Sequence, residues 1–259
     1  MNDLRTPRRA VVFHTASPFF YEGLTAENAD AKMVAPSLHG TRNVLGAVAR
    51  SGSVARVVIT SSRAAVAFHA PPARPRYTEA DWSNEAYCRA AGHWYPLSKT
   101  LAEREAWAWA AEHPRVRLVA VNPTLVLGPL QRAVLNTSLG MVQRMLQGHN
   151  RAVPAGSVSF VDVRDVVAAH VAAAVDPGAC GRYLCVPRTR PWAEVVDALR
   201  EARPRAPLPA AAAAPQQPSA EPVPQFSEER ARELGVTFRD VSLSSRCAVL
   251  HVTLRAACR

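Results

Sequence analysis

His93-Trp94-Tyr95-Pro96-Leu97-Ser98-Lys99-Thr100-Leu101-Ala102-Glu103-Arg104-Glu105 reads as the first half of a helix that runs on to His113. Leu97, Leu101, Ala102, Trp107 and Trp109 are separated by Glu and Arg, and Pro114 marks the end. Tyr95 and Lys99 are four residues apart, so a helix puts them one turn apart on one face. An ammonium beside a phenol stabilises the phenolate. Tyr95 is therefore expected to have a lowered pKa and to exchange a proton near neutral pH. Lys32 and Lys99 are the only lysines among 31 basic residues. Lysine is a compact point charge and arginine a bulky fork, so a lysine at this spacing in a lysine-poor chain points to a site that requires it.

Strand-like runs lie on either side of this helix. Val54 to Thr60 is a buried strand, with Ser61 and Ser62 just past its C-terminal end. Arg117 to Asn122 is another, closed by Pro123. Upstream, Ala10 to Thr15 reads as a buried strand ending in the small residues Ala16-Ser17-Pro18, and residues 28–50 read as a helix. Residues 69–92, rich in proline and polar groups, are expected to form a surface loop. Strand, helix, strand, helix, strand is the pattern of a parallel doubly wound sheet, where ligands bind at the carboxyl ends of the strands.

Beyond Gly128-Pro129 the spacing predicts a helix over Asn136 to Gln147 capped by Asn136 or Thr137, and a strand over Ser157 to Val161. A helix over Val163 to Val175 follows, opened by Asp162, with Arg164 and Asp165 a candidate ion pair at its start. A strand at Arg182 to Val186, a helix over 191–202 with Pro191 in its first turn, and a short helix from Ser227 to Leu234 complete the pattern. Residues 204–224 are a low-complexity loop, and no secondary structure is expected there.

The formal net charge is +10, but the basic residues are scattered and do not alternate with aromatics, so no nucleic-acid partner is expected. Five cysteines, an odd number without a Cys-x-x-Cys, fit free thiols in a reducing compartment. The polar N-terminus lacks the apolar stretch of a signal peptide. No run of about eighteen apolar residues exists, so a cytoplasmic protein without a membrane span is expected.

Ser62 at a strand end and Tyr95 with Lys99 on the next helix make a Ser/Tyr/Lys constellation. Its chemistry is coherent: serine holds a carbonyl oxygen, tyrosine delivers a proton, and lysine assists tyrosine and binds a ribose while a cofactor supplies hydride. With these residues in place, the chain resembles the extended short-chain dehydrogenase/reductases. It resembles in particular the plant group of cinnamoyl-CoA, dihydroflavonol and phenylacetaldehyde reductases. The likeness rests on Val12-Phe13-His14-Thr15-Ala16-Ser17-Pro18, Gly40-Thr41-Arg42-Asn43-Val44-Leu45 and Val57-Val58-Ile59-Thr60-Ser61-Ser62. Asp81-Trp82-Ser83, Trp94 through Glu103, Val121 through Leu130, Asn136-Thr137-Ser138 and Phe160 through Val166 extend it. The resemblance implies that Ser62, rather than Ser61, is catalytic with Tyr95 and Lys99. It also implies that Ala16, Ser17, Tyr95, Lys99, Pro123, Thr124, Leu125, Val126 and Ser138 bind the cofactor, NADPH. The implied partner is a small carbonyl substrate: an aromatic aldehyde, a ketone or an acyl-CoA thioester.

Two departures accompany the match. The resembled family opens with a strand and a Gly-x-x-Gly-x-x-Gly turn that cradles the cofactor pyrophosphate. The twelve glycines here include none at that spacing, so the chain is expected to begin at the family's fourth strand. The tail after Leu243 does not resemble the family's C-terminal helix. In addition, His93-Trp94-Tyr95-Pro96-Leu97-Ser98-Lys99 stands where cinnamoyl-CoA reductases carry an Asn-Trp-Tyr-Cys-Tyr-Gly-Lys motif, which keeps simple aldehydes and ketones open as substrates. The expected fold is α/β, a truncated Rossmann-type doubly wound parallel sheet with a small C-terminal substrate-binding region. Residues 10–127 would form the remaining nucleotide-binding part, 128–243 the substrate lobe and returning sheet elements, and 244–259 an atypical tail. Two alternatives stay open: a catalytically inactive relative with weak or lost NADPH binding, and a nucleotide-sugar epimerase or dehydratase. The oligomeric state is not legible.

Overall fold

The computed structural model describes residues 10–72, 74–129, 135–209 and 223–241. The centre of the low-complexity stretch and the tail from residue 244 lie outside the described residues.

In chain order the strands are β1 (Ala10–His14), β2 (Val54–Thr60), β3 (Arg76–Tyr77), β4 (Arg117–Pro123), β5 (Leu125–Leu127), β6 (Ser157–Asp162), β7 (Gly181–Cys185), β8 (Thr189–Pro191) and β9 (Gln225–Phe226). The helices are α1 (Ala35–Ser51), α2 (Glu85–Ala90), α3 (Trp94–Glu112), α4 (Thr137–Leu146), α5 (Val163–Val175), α6 (Trp192–Ala202) and α7 (Glu229–Glu233). The main sheet runs β1-β2-β4-β7, and every pairing in it is parallel. The α/β, Rossmann-type parallel sheet read from the sequence is therefore present.

Alternation along the strands sorts the two faces. Val57, Ile59, Leu118 and Ala120 pack with Leu45 and Val48 of α1 and Ala106 of α3. Val58, Val119 and Val121 point the other way, onto Val166, Ala169 and Ala173 of α5. A second, three-stranded sheet, β5-β6-β8, shares a core with α4 and α6 built on Leu139, Val142, Phe160, Val196 and Leu199. The tight β5-to-α5 approach requires a glycine: Gly128 has φ +157, and a Cβ there would meet Val163 Cγ1 at 2.3 Å.

Several sequence-based expectations need correction. β1 is not a buried strand; Val11 is 37% and Phe13 47% exposed, because β1 is the sheet's edge among the described residues. Residues 69–92 are not a plain loop. They contain β3, paired in parallel with β9, and α2, capped by Asn84 Oδ1 accepting from Tyr87 N at 2.8 Å. Pro191 precedes α6 as its cap rather than lying in its first turn, and the last helix is shorter, Glu229–Glu233. Arg164 pairs with Asp162 at 2.6 Å, whereas Asp165 pairs with Arg239, so the Arg164–Asp165 pair is not formed.

Candidate active site

Parallel strands deliver their carboxyl ends to one edge of the sheet. There β1 hands over to Thr15-Ala16-Ser17, β2 to Ser61-Ser62, and β4 to Thr124. In the strand register Thr60 lies opposite Val121 and His14 opposite Ile59, so these ends stand level. α3 brings Tyr95 and Lys99 across the same edge. Pro96 sits in its first turn, where a missing N–H costs nothing, and the helix stops at His113 before Pro114. α4 adds Ser138, held by the Asn136 cap: its Oδ1 accepts from Leu139 N at 2.8 Å.

A cavity of about 280 Å³ lies where these elements meet. Ser17, Ser62, Tyr95, Lys99, Pro123, Thr124, Leu125, Val126 and Ser138 line it, so nine of the ten residues singled out from the sequence share one space. Ala16 lies on a smaller adjoining cavity that Ser17 and Lys99 also border.

Ser62 Oγ accepts from Ala64 N at 3.1 Å, and Ser62 and Tyr95 line the same cavity. Ser61 also lines the cavity, but its Oγ donates to Glu103 Oε2 at 2.5 Å. Lys99, 6% exposed, donates to the Thr60 carbonyl at 3.1 Å, and its Nζ stands 6.0 Å from the Tyr95 ring centre. Burial pushes the lysine down to about 8, with Glu103 opposing that shift. The expected lowering of Tyr95 is not what this arrangement produces. Burial raises its pKa, the nearby Ser62 hydroxyl pulls it back, and the Tyr21 phenol raises it again. The phenol is thus held protonated. Nearby, burial and then the Lys99 charge lower the pKa of His14, consistent with its reading as a packed strand residue.

Glu103 underpins the site. Its carboxylate accepts from Arg182 Nε at 2.6 Å, Asn122 Nδ2 at 2.8 Å and Trp107 Nε1 at 3.2 Å, besides Ser61. Asn122 Nδ2 also reaches the Ser62 carbonyl at 3.2 Å, tying β4 to the serine that faces the cavity. Sequence reasoning passed over Glu103, although it lies four residues after Lys99, the spacing of neighbours on one helix face. It also missed Phe19, Tyr21, Arg63 and Phe68 in the cavity wall. Phe19 and Tyr21 pack on Tyr95 with ring centres 4.6 and 6.0 Å away. The aromatic run directly after Ala16-Ser17-Pro18 was the available signal. His93, by contrast, packs against Phe68 and Tyr87.

A Rossmann-type sheet with a serine, a tyrosine and a lysine gathered at its carboxyl edge defines a nucleotide-cofactor class of α/β proteins. The chain belongs to the NAD dependent epimerase/dehydratase family, whose model matches residues 8–183. It is 39% identical over 235 residues to a cinnamoyl-CoA reductase of Medicago truncatula, covering 90% of this chain and 70% of that protein. It is 38% identical over 200 residues to tetraketide alpha-pyrone reductase 2 of Arabidopsis thaliana, covering 76% and 61%. The chain therefore spans about two thirds of the length of these curated relatives. Among solved structures it is similar to the yeast methylglyoxal/isovaleraldehyde reductase complexed with NADPH. The TM-score there is 0.79 at 25% identity, over 95% of this chain and 76% of that one. It shares the fold of vestitone reductase from alfalfa, with a TM-score of 0.76 at 22% identity over 95% and 76% of the two chains.

Among the described residues the cavity's donors fit the nicotinamide and ribose end of a dinucleotide: Lys99 keeps N–H groups beyond the one given to Thr60, and Ser138 adds a hydroxyl. Residues 15–28, which follow β1, carry the pocket aromatics Phe19 and Tyr21. No helix among the described residues is long and apolar enough to cross a membrane.

Proposed function

We propose that the chain is an NADPH-dependent reductase of small carbonyl compounds, with aromatic aldehydes and ketones ahead of acyl-CoA thioesters. One observation carries this reading: Ser62, Tyr95 and Lys99 line a single cavity with Pro123 through Val126 and Ser138. The named activities of the similar proteins support it.

A bound NADPH would supply hydride to the carbonyl carbon. Ser62 Oγ and the Tyr95 hydroxyl, both lining the cavity, bracket the position of the carbonyl oxygen. Tyr95, kept protonated by burial, gives its proton to that oxygen as charge develops on it. Lys99 would hold a ribose hydroxyl, and its Nζ keeps positive charge 6.0 Å from the Tyr95 ring centre. Phe19 and Tyr21 cover Tyr95 and exclude water. On this reading residues 10–127 form the nucleotide-binding part and 128–243 the substrate lobe and returning strands. The reading also places the protein in the cytoplasm, supported by free thiols at Cys88, Cys180 and Cys185.

The test is calorimetric titration of the folded chain with NADPH, Lys99→Ala serving as control, followed by an aldehyde screen for NADPH oxidation. Saturable binding that K99A weakens by about ten-fold supports the reductase. No binding by the folded chain removes it and leaves the second reading, a family member without cofactor binding.

A further inference from the structure

The cavity holds two cations, Lys99 and Arg63, and no carboxylate is among its lining residues. Lys99 is engaged by the Thr60 carbonyl. Arg63 has no hydrogen-bond acceptor or acidic partner among the described residues; its guanidinium instead faces the rings of Phe68 and Phe226 at 5.9 and 5.6 Å. Other cavity-lining arginines differ. Around a separate cavity of about 170 Å³, Arg188, Arg190, Arg232 and Arg239 each pair with a carboxylate. The backbone of Arg63 is fixed. It follows Ser62 and opens the turn Arg63–Ala65, its carbonyl accepting from Val66 N at 2.9 Å.

Arg63 is half-buried without a counter-charge, and burial pushes its pKa down, with the phenols of Tyr21 and Tyr77 opposing. Arginine stays charged regardless. The vacant fork suits a planar anion, and the flanking rings suit an aromatic body carrying it.

We infer that Arg63 is a specificity-determining residue that binds a carboxylate on the substrate, so that the preferred substrates are oxo acids, aromatic aldehydes or ketones bearing a carboxylate. This rests on the reductase reading for the word substrate, but its test reads binding and does not require turnover. The probes are 3- and 4-carboxybenzaldehyde and their methyl esters, which remove the charge and keep the ring and aldehyde.

Calorimetry is run on the wild-type chain with each acid and its ester. The better-fitting acid is expected to bind roughly ten- to a hundred-fold more tightly than its ester, the range of a charge-assisted bidentate pair. R63Q is expected to erase that difference, and R63K, which keeps the charge but not the fork, to retain part of it. Equal binding of acid and ester by wild type, no binding of either, or an R63Q variant that keeps the preference each overturns the inference. So does an R63Q variant whose loss falls on NADPH rather than on the acid, because Arg63 then serves the cofactor. If R63Q fails to fold, the wild-type pair and R63K decide. A retained acid preference with no NADPH oxidation leaves Arg63 as an anion site and sinks the reductase reading alone.

Discussion

Lys99 sets two opposite pH dependences. Its folded pKa is about 8, against an ordinary 10.5. Between those values the unfolded chain binds more protons, so stability rises with pH across that window; the burial penalty is complete below it and gone above it. The span corresponds to on the order of 3 kcal/mol. Thermal melts of wild type against Lys99→Met should show this rise between pH 8 and pH 10.5 in wild type only. On the proposed reading, in which the Lys99 ammonium holds the ribose, affinity for NADPH should move the other way and fall above about pH 8. A wild-type melting profile parallel to that of K99M would refute both. Beneath it, the Glu103–Arg182 pair is almost wholly buried, with side chains 0% and 7% exposed. Removing one partner strands the other charge, so Arg182→Met should cost about 3–5 kcal/mol in urea unfolding. Adding Glu103→Leu to it should recover part of that loss, whereas additive losses would mean the pair is not coupled.

Elements whose order comes from their own sequence were legible, and those ordered by distant partners were not. β2, α3, β4 and α5 follow from alternation, helical spacing, caps and prolines a few residues away, and each was located to within a residue or two. That Ser62, Tyr95 and Lys99 share one edge of the sheet followed from them, because parallel strands and one helix bring those residues together. β3 is different. Its two residues pair only with Gln225 and Phe226, about 150 positions on, and nothing local marks Arg76 and Tyr77 as a strand. Arg63 was equally opaque, since its meaning depends on which acids fail to reach it. The β5-to-α5 connection can be tested at this scale. Gly128 was read as a turn, but the structure adds a close approach to Val163. Gly128→Ala should therefore destabilise by about 1–3 kcal/mol, through strain at positive φ and overpacking, and should disturb Val126 in the cavity wall. A loss near zero in urea unfolding would show that α5 yields freely.

At the scale of the molecule, the main sheet has an open side. β1 pairs with β2 alone among the described residues, leaving one row of N–H and C=O groups without a neighbouring strand. Beside it runs an apolar stripe on α5: Val167, Val171 and Val175, spaced four apart, are 55%, 51% and 73% exposed. The two features meet, because the Phe13 ring centre lies 6.4 Å from that of His170, which sits between Val167 and Val171 in α5. An unpaired parallel edge next to exposed valines and a half-exposed phenylalanine is a surface that water disfavours and that other chains can cover. The net charge of +10 opposes association at low salt and is screened at high salt. Sedimentation velocity should therefore show mass increasing with protein concentration, more strongly at 0.5 M than at 0.05 M NaCl. Val171→Lys with Val175→Lys, placed on a solvent-facing helix row, should suppress it without changing the melting temperature by more than a few degrees. A wild-type chain that sediments as one monomer at every concentration and both salts would mean that this face is already shielded, and the open-edge account of the molecule would fall with it.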